Sequence, residues 1–325
     1  MFKALRIHET KEGFTRSIEK MSTNELPPGD LLVQVHYSSL NYKDALSSIG
    51  NRGVTKSYPH TPGIDASGIV IESKSPLFKE GDFVVITGYD FGMNTHGGFS
   101  QIISVPASWV QKLPPGLSLK ESMMLGTAGF TAAMSVAEIL PYLKGGKVFV
   151  SGASGGVGSL SVKILTHLGY EVSVPLRRES SRPFLESIGV KEFIPWEEIE
   201  SSKKRALLST KFDAAIDTTG GDNLSYALKT TSYGGAVTVC GNAASADLNA
   251  TVYPFILRGI RLIGIDSVLA ESDFRKTIWK KLGTDWKIPL LEEGIEELPL
   301  EELPQAMDKM LRGEHLGKVL VKVKE

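Results

Sequence analysis

Hydrophobic positions first alternate with polar ones around residue 31. Leu31, Val33, Val35 and Tyr37 interleave with Leu32, Gln34, His36 and Ser38, the period of a half-buried strand. The preceding Pro27-Pro28-Gly29-Asp30 is turn chemistry. Further apolar runs at Ala66–Ile71, Phe83–Thr87 and Phe99–Val105 are each bounded by Gly, Pro, Asp or Ser, and Pro114-Pro115-Gly116 closes the region. Short strands between turn signals predict a small β barrel or sandwich. Beyond Glu121 the rhythm changes. Leu125–Leu140 predicts an apolar helix ended by Pro141 and Gly145-Gly146, followed by a short strand at Lys147–Val150. A helix at Ser159–Leu168 and a strand at Glu171–Val174 come next. Phe184–Ile188, Phe193–Ile194, Ala214–Ile216, Leu224–Leu228, Ala236–Val239 and Arg261–Ile265 continue the alternation. That order predicts a doubly wound parallel sheet with helices on both faces, an α/β domain beside the β-rich one. The tail adds a helix at Leu303–Leu311 and a strand at Val319–Val323.

The chain has 325 residues, more than one core usually holds, so two domains are expected. With 36 Lys and Arg against 37 Asp and Glu, the formal charge of −1 argues against a nucleic-acid or membrane-surface partner. A lone cysteine, Cys240, excludes an internal disulfide framework. Charged residues from Lys3 to Glu12 stand where a signal peptide needs an apolar stretch, and Ser122–Ala137 is too short to span a bilayer, so a cytoplasmic protein is expected.

The 33 glycines carry more information. Strand Lys147–Val150 runs straight into Ser151-Gly152-Ala153-Ser154-Gly155-Gly156-Val157-Gly158 and then into a helix. In this context the backbone of Ser154, Gly155, Gly156 and Val157 and a helix N-terminus would face a dinucleotide diphosphate. An acidic residue after the second strand would signal NAD. The chain reads Pro175-Leu176-Arg177-Arg178-Glu179-Ser180-Ser181 instead. Arg177, Arg178 and Ser180 suit a 2′-phosphate, which favours NADPH.

The stretches Asn41-Tyr42-Lys43-Asp44-Ala45-Leu46, Pro62-Gly63-Ile64-Asp65, Gly126–Ala132, Gly152–Ser159, Gly264-Ile265-Asp266-Ser267 and Gly317-Lys318 resemble the zinc-independent medium-chain dehydrogenase/reductases. Within them the chain is similar to the YhdH/YhfP branch of quinone oxidoreductases, which includes NADPH-dependent acrylyl-CoA reductase. The resemblance implies a GroES-like catalytic domain formed by residues 1–121 and 268–325, with a Rossmann domain inserted over 122–267. It also implies an active site in the cleft between the two and a homodimer formed through the edge strand Arg261–Ile265. Zinc relatives carry a Cys and a His-Glu pair where this chain has Asn41-Tyr42-Lys43-Asp44 and Gly63-Ile64-Asp65. No zinc is therefore expected, and reduction of an activated double bond or a quinone, which needs no metal, is favoured over alcohol oxidation.

Tyr42 leads the catalytic candidates because a phenol can donate to the nicotinamide, a cofactor hydroxyl or a substrate oxygen. Asn41 could donate through its amide. Asp44 is a third candidate whose plainer role is to hold the turn or cap a helix. By resemblance Thr127, Thr218, Cys240, Gly241, Ile265, Ser267 and Lys318 line the cofactor, with Cys240 a packed residue rather than a nucleophile and Lys318 otherwise solvated. Relatives carry arginine at Trp196 and asparagine at Arg312. Trp196 would stack on adenine or pack on the sheet, and Arg312 would contact a phosphate or CoA. Three functions follow: an NADPH-dependent reductase of short enoyl-CoA esters, a quinone or small-enone reductase, and a non-catalytic NADPH-binding sensor.

Overall fold

The computed structural model describes residues 1–289 and 294–324. By its internal contacts the chain divides into two units. Unit 1 comprises Met1–Thr127, Val268–Thr284 and residues 294–324, and unit 2 comprises Ala128–Ser267 with Asp285–Pro289.

Unit 1 begins with an antiparallel hairpin, β1 (Phe2–Thr10) and β2 (Gly13–Met21). β3 (Leu31–Leu40) leads into a short helix, α1 (Tyr42–Ser47). β4 (Asp65–Ser73), β5 (Phe83–Thr87), β6 (Ile102–Val105) and β7 (Val110–Lys112) follow. The expected strand Phe99–Val105 is shorter at its start. Phe99 instead gives its carbonyl to the Leu5 N–H and its own N–H to the Pro62 carbonyl, which ties two loops to the hairpin.

α2 (Leu119–Ile139) is two helical segments joined across a kink at Gly126 (φ +54°): the first begins where Ser118 and Glu121 exchange cap bonds, and the second covers the helix expected from Leu125. With the turn that follows, Leu119–Tyr142 is long and apolar enough to cross a membrane, longer than the sequence reading allowed, but 78% of its apolar window is buried. The burial identifies it as a core helix.

Unit 2 follows the alternation expected of it. β8 (Lys147–Val150), α3 (Gly156–His167), β9 (Glu171–Leu176), α4 (Arg182–Ser187), β10 (Glu192–Pro195), α5 (Trp196–Ser202), β11 (Phe212–Asp217), α6 (Gly221–Thr230), β12 (Thr231–Val239), α7 (Tyr253–Arg258) and β13 (Arg261–Gly264) succeed one another. The strands form one parallel sheet in the order β10-β9-β8-β11-β12-β13. Phe149, Phe212, Tyr226 and Val237 fill its core. An order that runs outward both ways from β8 places the switch point between β8 and β11, where such sheets bind ligands.

The chain then returns to unit 1 with α8 (Ser272–Gly283), β14 (Ile295–Pro299), α9 (Leu303–Leu311) and β15 (Lys318–Lys322). β15 lies between β14 and β3 in the sheet β14-β15-β3-β4-β5-β7, with β6 paired to β3. Leu5, Val33, Val35, Ile86, Phe99, Leu303 and Val321 are among its core residues.

Candidate active site

β3 and β4 are antiparallel neighbours, so the residues after β3 meet the start of β4. At that start stands Asp65, fully buried and surrounded by hydrogen donors. Ser39 Oγ donates to it at 2.5 Å and Asn41 Nδ2 at 2.8 Å. Thr127 donates its backbone N–H at 3.0 Å and its hydroxyl at 2.6 Å. Both carboxyl oxygens thus act as acceptors in this set. The neutralising charge is Lys318, the first residue of β15, whose Nζ lies 3.8 Å from Asp65 and donates to Asn41 Oδ1 at 3.1 Å. Burial lowers the Lys318 ammonium, and the charges of Asp65 and Asp44 oppose that shift. Gly126 adopts φ +54° beside this group, and a Cβ there would collide with the Asp65 carboxylate and Ser39 Oγ.

These bonds correct three expectations. Asn41 has no amide hydrogen left for a substrate, since the second goes to the Ser39 carbonyl at 3.2 Å. Lys318 is not solvated: it is only 4% exposed and spends its charge inside unit 1. Asp44 is fully buried, accepting from the backbone N–H groups of Asn41 (2.8 Å), Gly63 (3.0 Å) and Ile64 (3.0 Å). Burial pushes its carboxyl up to about 7 against those bonds, with the Asp65 charge adding to the rise. It holds the turn, the plainer of its two roles. Thr127 spends its one hydroxyl hydrogen on Asp65, so towards a ligand that oxygen can only accept. Tyr42, the first residue of α1, differs from all of these. Its side chain is 51% exposed, and among the described residues its hydroxyl has no hydrogen-bond partner.

A zinc ion does not fit this spot. The Asp65 oxygens are enclosed by donors and an ammonium already stands beside them. Among the described residues there is no group of three or more His, Cys, Asp or Glu able to hold a metal.

Unit 2 presents a cradle at the switch point of its sheet. Gly152 turns the chain after β8 at φ +61°, where a Cβ would strike the Thr218 hydroxyl. The Gly155 N–H closes the turn onto the Gly152 carbonyl at 2.9 Å, and Gly155 then caps α3. Ser154, Gly155, Gly156 and Val157 are all partly exposed at that helix start, whose first N–H groups have no intrahelical partner. The arrangement fits a diphosphate.

The opposite wall is fixed by Asp217 at the end of β11. It accepts from Ser151 Oγ at 2.6 Å and Gly220 N at 2.6 Å, while Ser151 Oγ accepts the Thr218 N–H at 3.0 Å. Cys240 gives its N–H to the Asp217 carbonyl at 3.0 Å, next to Gly241. Burial and the Asp217 charge push the Cys240 thiol up to about 12, which disfavours the thiolate that a nucleophile needs. Ile265 continues β13 by bonding the Val239 carbonyl at 2.9 Å, and Ser267 Oγ accepts from Thr131 at 2.8 Å. Arg177, Arg178 and Ser180 are exposed on the turn after β9. Glu179, the acidic residue among them, pairs with Arg182. Arg312 is exposed on α9's C-terminal side and pairs with Glu314 at 2.8 Å.

The sequence reading missed Ser39 and Asp65 in unit 1, and Ser151 and Asp217 in unit 2. Ser39 lies near the end of β3, Ser151 and Asp217 close apolar strands, and Asp65 opens β4 in the Pro62–Asp65 stretch, but nothing local names the partners that each meets.

Comparison with known proteins agrees with the fold. The zinc-binding dehydrogenase family matches residues 156–284, and the alcohol dehydrogenase GroES-like domain matches residues 27–115. The chain is 39% identical to the acrylyl-CoA reductase AcuI of Ruegeria pomeroyi, over 99% of each. The yhdH oxidoreductase of Salmonella enterica, solved in complex with NADP, superposes with a TM-score of 0.95 at 37% identity, over 99% of this chain and 100% of that one. The Bacillus subtilis protein yhfP, solved with NAD bound, gives a TM-score of 0.95 at 38% identity over 99% of each chain. Near-complete coverage at these identities settles the lineage: the chain belongs to the medium-chain dehydrogenase/reductase family, in the branch that contains YhdH, YhfP and AcuI.

Proposed function

We propose that the protein is an NADPH-dependent reductase of short α,β-unsaturated acyl-CoA esters, acrylyl-CoA the leading case, working without zinc. The observation that carries this reading is the 39% identity to an acrylyl-CoA reductase over 99% of both chains. The geometry supports it in two places. The Gly152–Val157 turn would hold the diphosphate, and Arg177, Arg178 and Ser180 would take a 2′-phosphate where an acidic residue would select NAD. When bound, NADPH supplies a hydride for the substrate β-carbon.

The chain's own contribution is electrostatic. As the β-carbon is reduced, negative charge builds on the thioester carbonyl oxygen. Asn41, Asp44, Thr127 and Lys318 are committed to the Asp65 network and its turn, so Tyr42 is the donor left to stabilise that oxygen. A proton then completes the α-carbon. The second reading is a quinone or small-enone reductase, favoured by the 39% identity, over 99% of each chain, to the putative quinone oxidoreductase YhfP of Bacillus subtilis. We also propose a homodimer formed across the edge strand β13.

The test is NADPH consumption with acrylyl-CoA, beside a simple quinone and an NADH control. Turnover of acrylyl-CoA well above that of the quinone is expected, with Tyr42→Phe lowering kcat by about a hundredfold. A faster quinone rate would replace the enoyl-CoA assignment with the second reading. Tight NADPH binding with no turnover of either acceptor would leave a sensor.

A further inference from the structure

The turn that follows β9 is built against two aromatic rings, Phe193 from β10 and Trp196 from the start of α5. β9 and β10 pair in parallel with Ile194 opposite Pro175 and Pro195 opposite Leu176. The next residue on each side is therefore Trp196 facing Arg177. The Arg177 guanidinium lies over the Trp196 ring, 5.3 Å from its centroid. Trp196 is itself partly buried and packs against the unit 2 core cluster that includes Ile194, Ile199, Phe212 and Tyr226. A second pair repeats the arrangement, with Arg182 over Phe193 at 4.3 Å. Arg182 also holds Glu179, so the one carboxylate on this turn is taken up by a different arginine. Among the described residues Arg177 has neither an ion pair nor a hydrogen bond.

A guanidinium held over an indole by the cation–π attraction spends none of its N–H groups on that contact, which leaves them available to an anion. The stack fixes a long side chain that would otherwise lose rotamer freedom on gripping an anion. The residues after the second strand of such a sheet stand beside the adenosine ribose of a bound dinucleotide.

We propose that Trp196 is the residue that positions Arg177 for the 2′-phosphate, and that this stack sets the preference for NADPH over NADH. The inference rests on the NADPH reading above and adds to it the residue that makes the arginine selective. It assigns Trp196 neither to adenine stacking nor to packing alone.

Calorimetry on the full chain with NADPH, NADH, 2′,5′-ADP and 5′-AMP tests it, with no substrate required. Trp196→Leu is expected to weaken NADPH and 2′,5′-ADP by about three- to tenfold while leaving NADH and 5′-AMP unchanged. Trp196→Phe restores most of the loss. Arg177→Gln weakens the two phosphorylated ligands by about tenfold or more, and Trp196→Leu added to it costs little further. Equal losses for all four ligands would overturn the proposal, because the indole would then be stacking on adenine. Should Trp196→Leu fail to fold, the exposed change Arg177→Lys decides instead. It keeps the charge but loses the planar fork, so the NADPH preference falls if the stack is right and survives if it is wrong. A wild type with no preference for NADPH overturns the cofactor reading and this proposal together. A wild-type preference that persists in Trp196→Leu overturns this proposal alone.

Discussion

Asp65 decides how much of the polar chemistry around it remains available to a ligand. By drawing hydrogens from Ser39, Asn41 and Thr127 and charge from Lys318, it converts side chains that look reactive in sequence into fixed structure. Removing one member of a buried ion pair strands the other, which typically costs 3–5 kcal/mol. Lys318→Met is therefore expected to destabilise unit 1 by about 3 kcal/mol in urea unfolding, and adding Asp65→Asn to recover part of that loss. A cost for Lys318→Met below about 1 kcal/mol would show that the pair does not hold the network. None of this is legible locally. Asn41 and Lys318 are 277 positions apart, and a buried charge looks like a solvated one until its partners are known. Tyr42 was singled out for its phenol alone, and the structure adds that its side chain is exposed at the start of α1.

Among the elements, period-two runs and the glycine turn were readable, whereas the β1–β2 hairpin was not. Lys3, Arg6, Glu9, Lys11 and Glu12 suggest a solvated segment, yet Ala4, Leu5 and Ile7 between them are buried. Helices α7 and α8 and strand β14 were missed too, being short or richly charged.

The hairpin docks on unit 1 through Arg6 and Ile7. Ile7 bridges His60, while Arg6 Nη1 reaches Thr61 Oγ1 at 3.2 Å and donates to His96 Nε2 at 3.0 Å. An arginine is only a donor, so that imidazole nitrogen must be unprotonated. Burial lowers His60 and His96 to about 4, and the Arg6 charge adds to both shifts. With folded values below the ordinary 6.5, the unfolded chain binds more protons between 6.5 and 4. The histidines' contribution to stability is then complete above pH 6.5 and is lost as pH falls through that window. The urea midpoint is expected to drop between pH 7 and pH 5, and His96→Gln to flatten that drop. Parallel profiles for wild type and variant would remove the histidine from the account.

For the molecule as a whole, pattern alone predicted a β-rich part and an α/β part. That one unit is assembled from both ends of the chain came only from family resemblance, since nothing local records which strand will neighbour which. β13 ends its sheet with its outer hydrogen-bonding groups unpaired to any strand among the described residues, and Val252, Ile256 and Leu257 are exposed on or beside α7. For the homodimer proposed above, light scattering should give twice the chain mass, and Ile256→Asp with Leu257→Asp should shift it towards the monomer. A wild-type monomer at micromolar concentration would count against that assembly.

The place of β15 has a consequence for the order in which the protein can form. During synthesis, β3 and β4 emerge early, with Asp65 already in position to be buried but without its cation. Unit 2 is nearly continuous in sequence, and all of it except Asp285–Pro289 has been made by Ser267. Unit 1 must wait, because the strand that lies between β14 and β3 carries Lys318 as its first residue. The Asp65 network is therefore the last part of unit 1 to be completed, and one short strand delivers both the missing hydrogen-bond ladder and the missing charge.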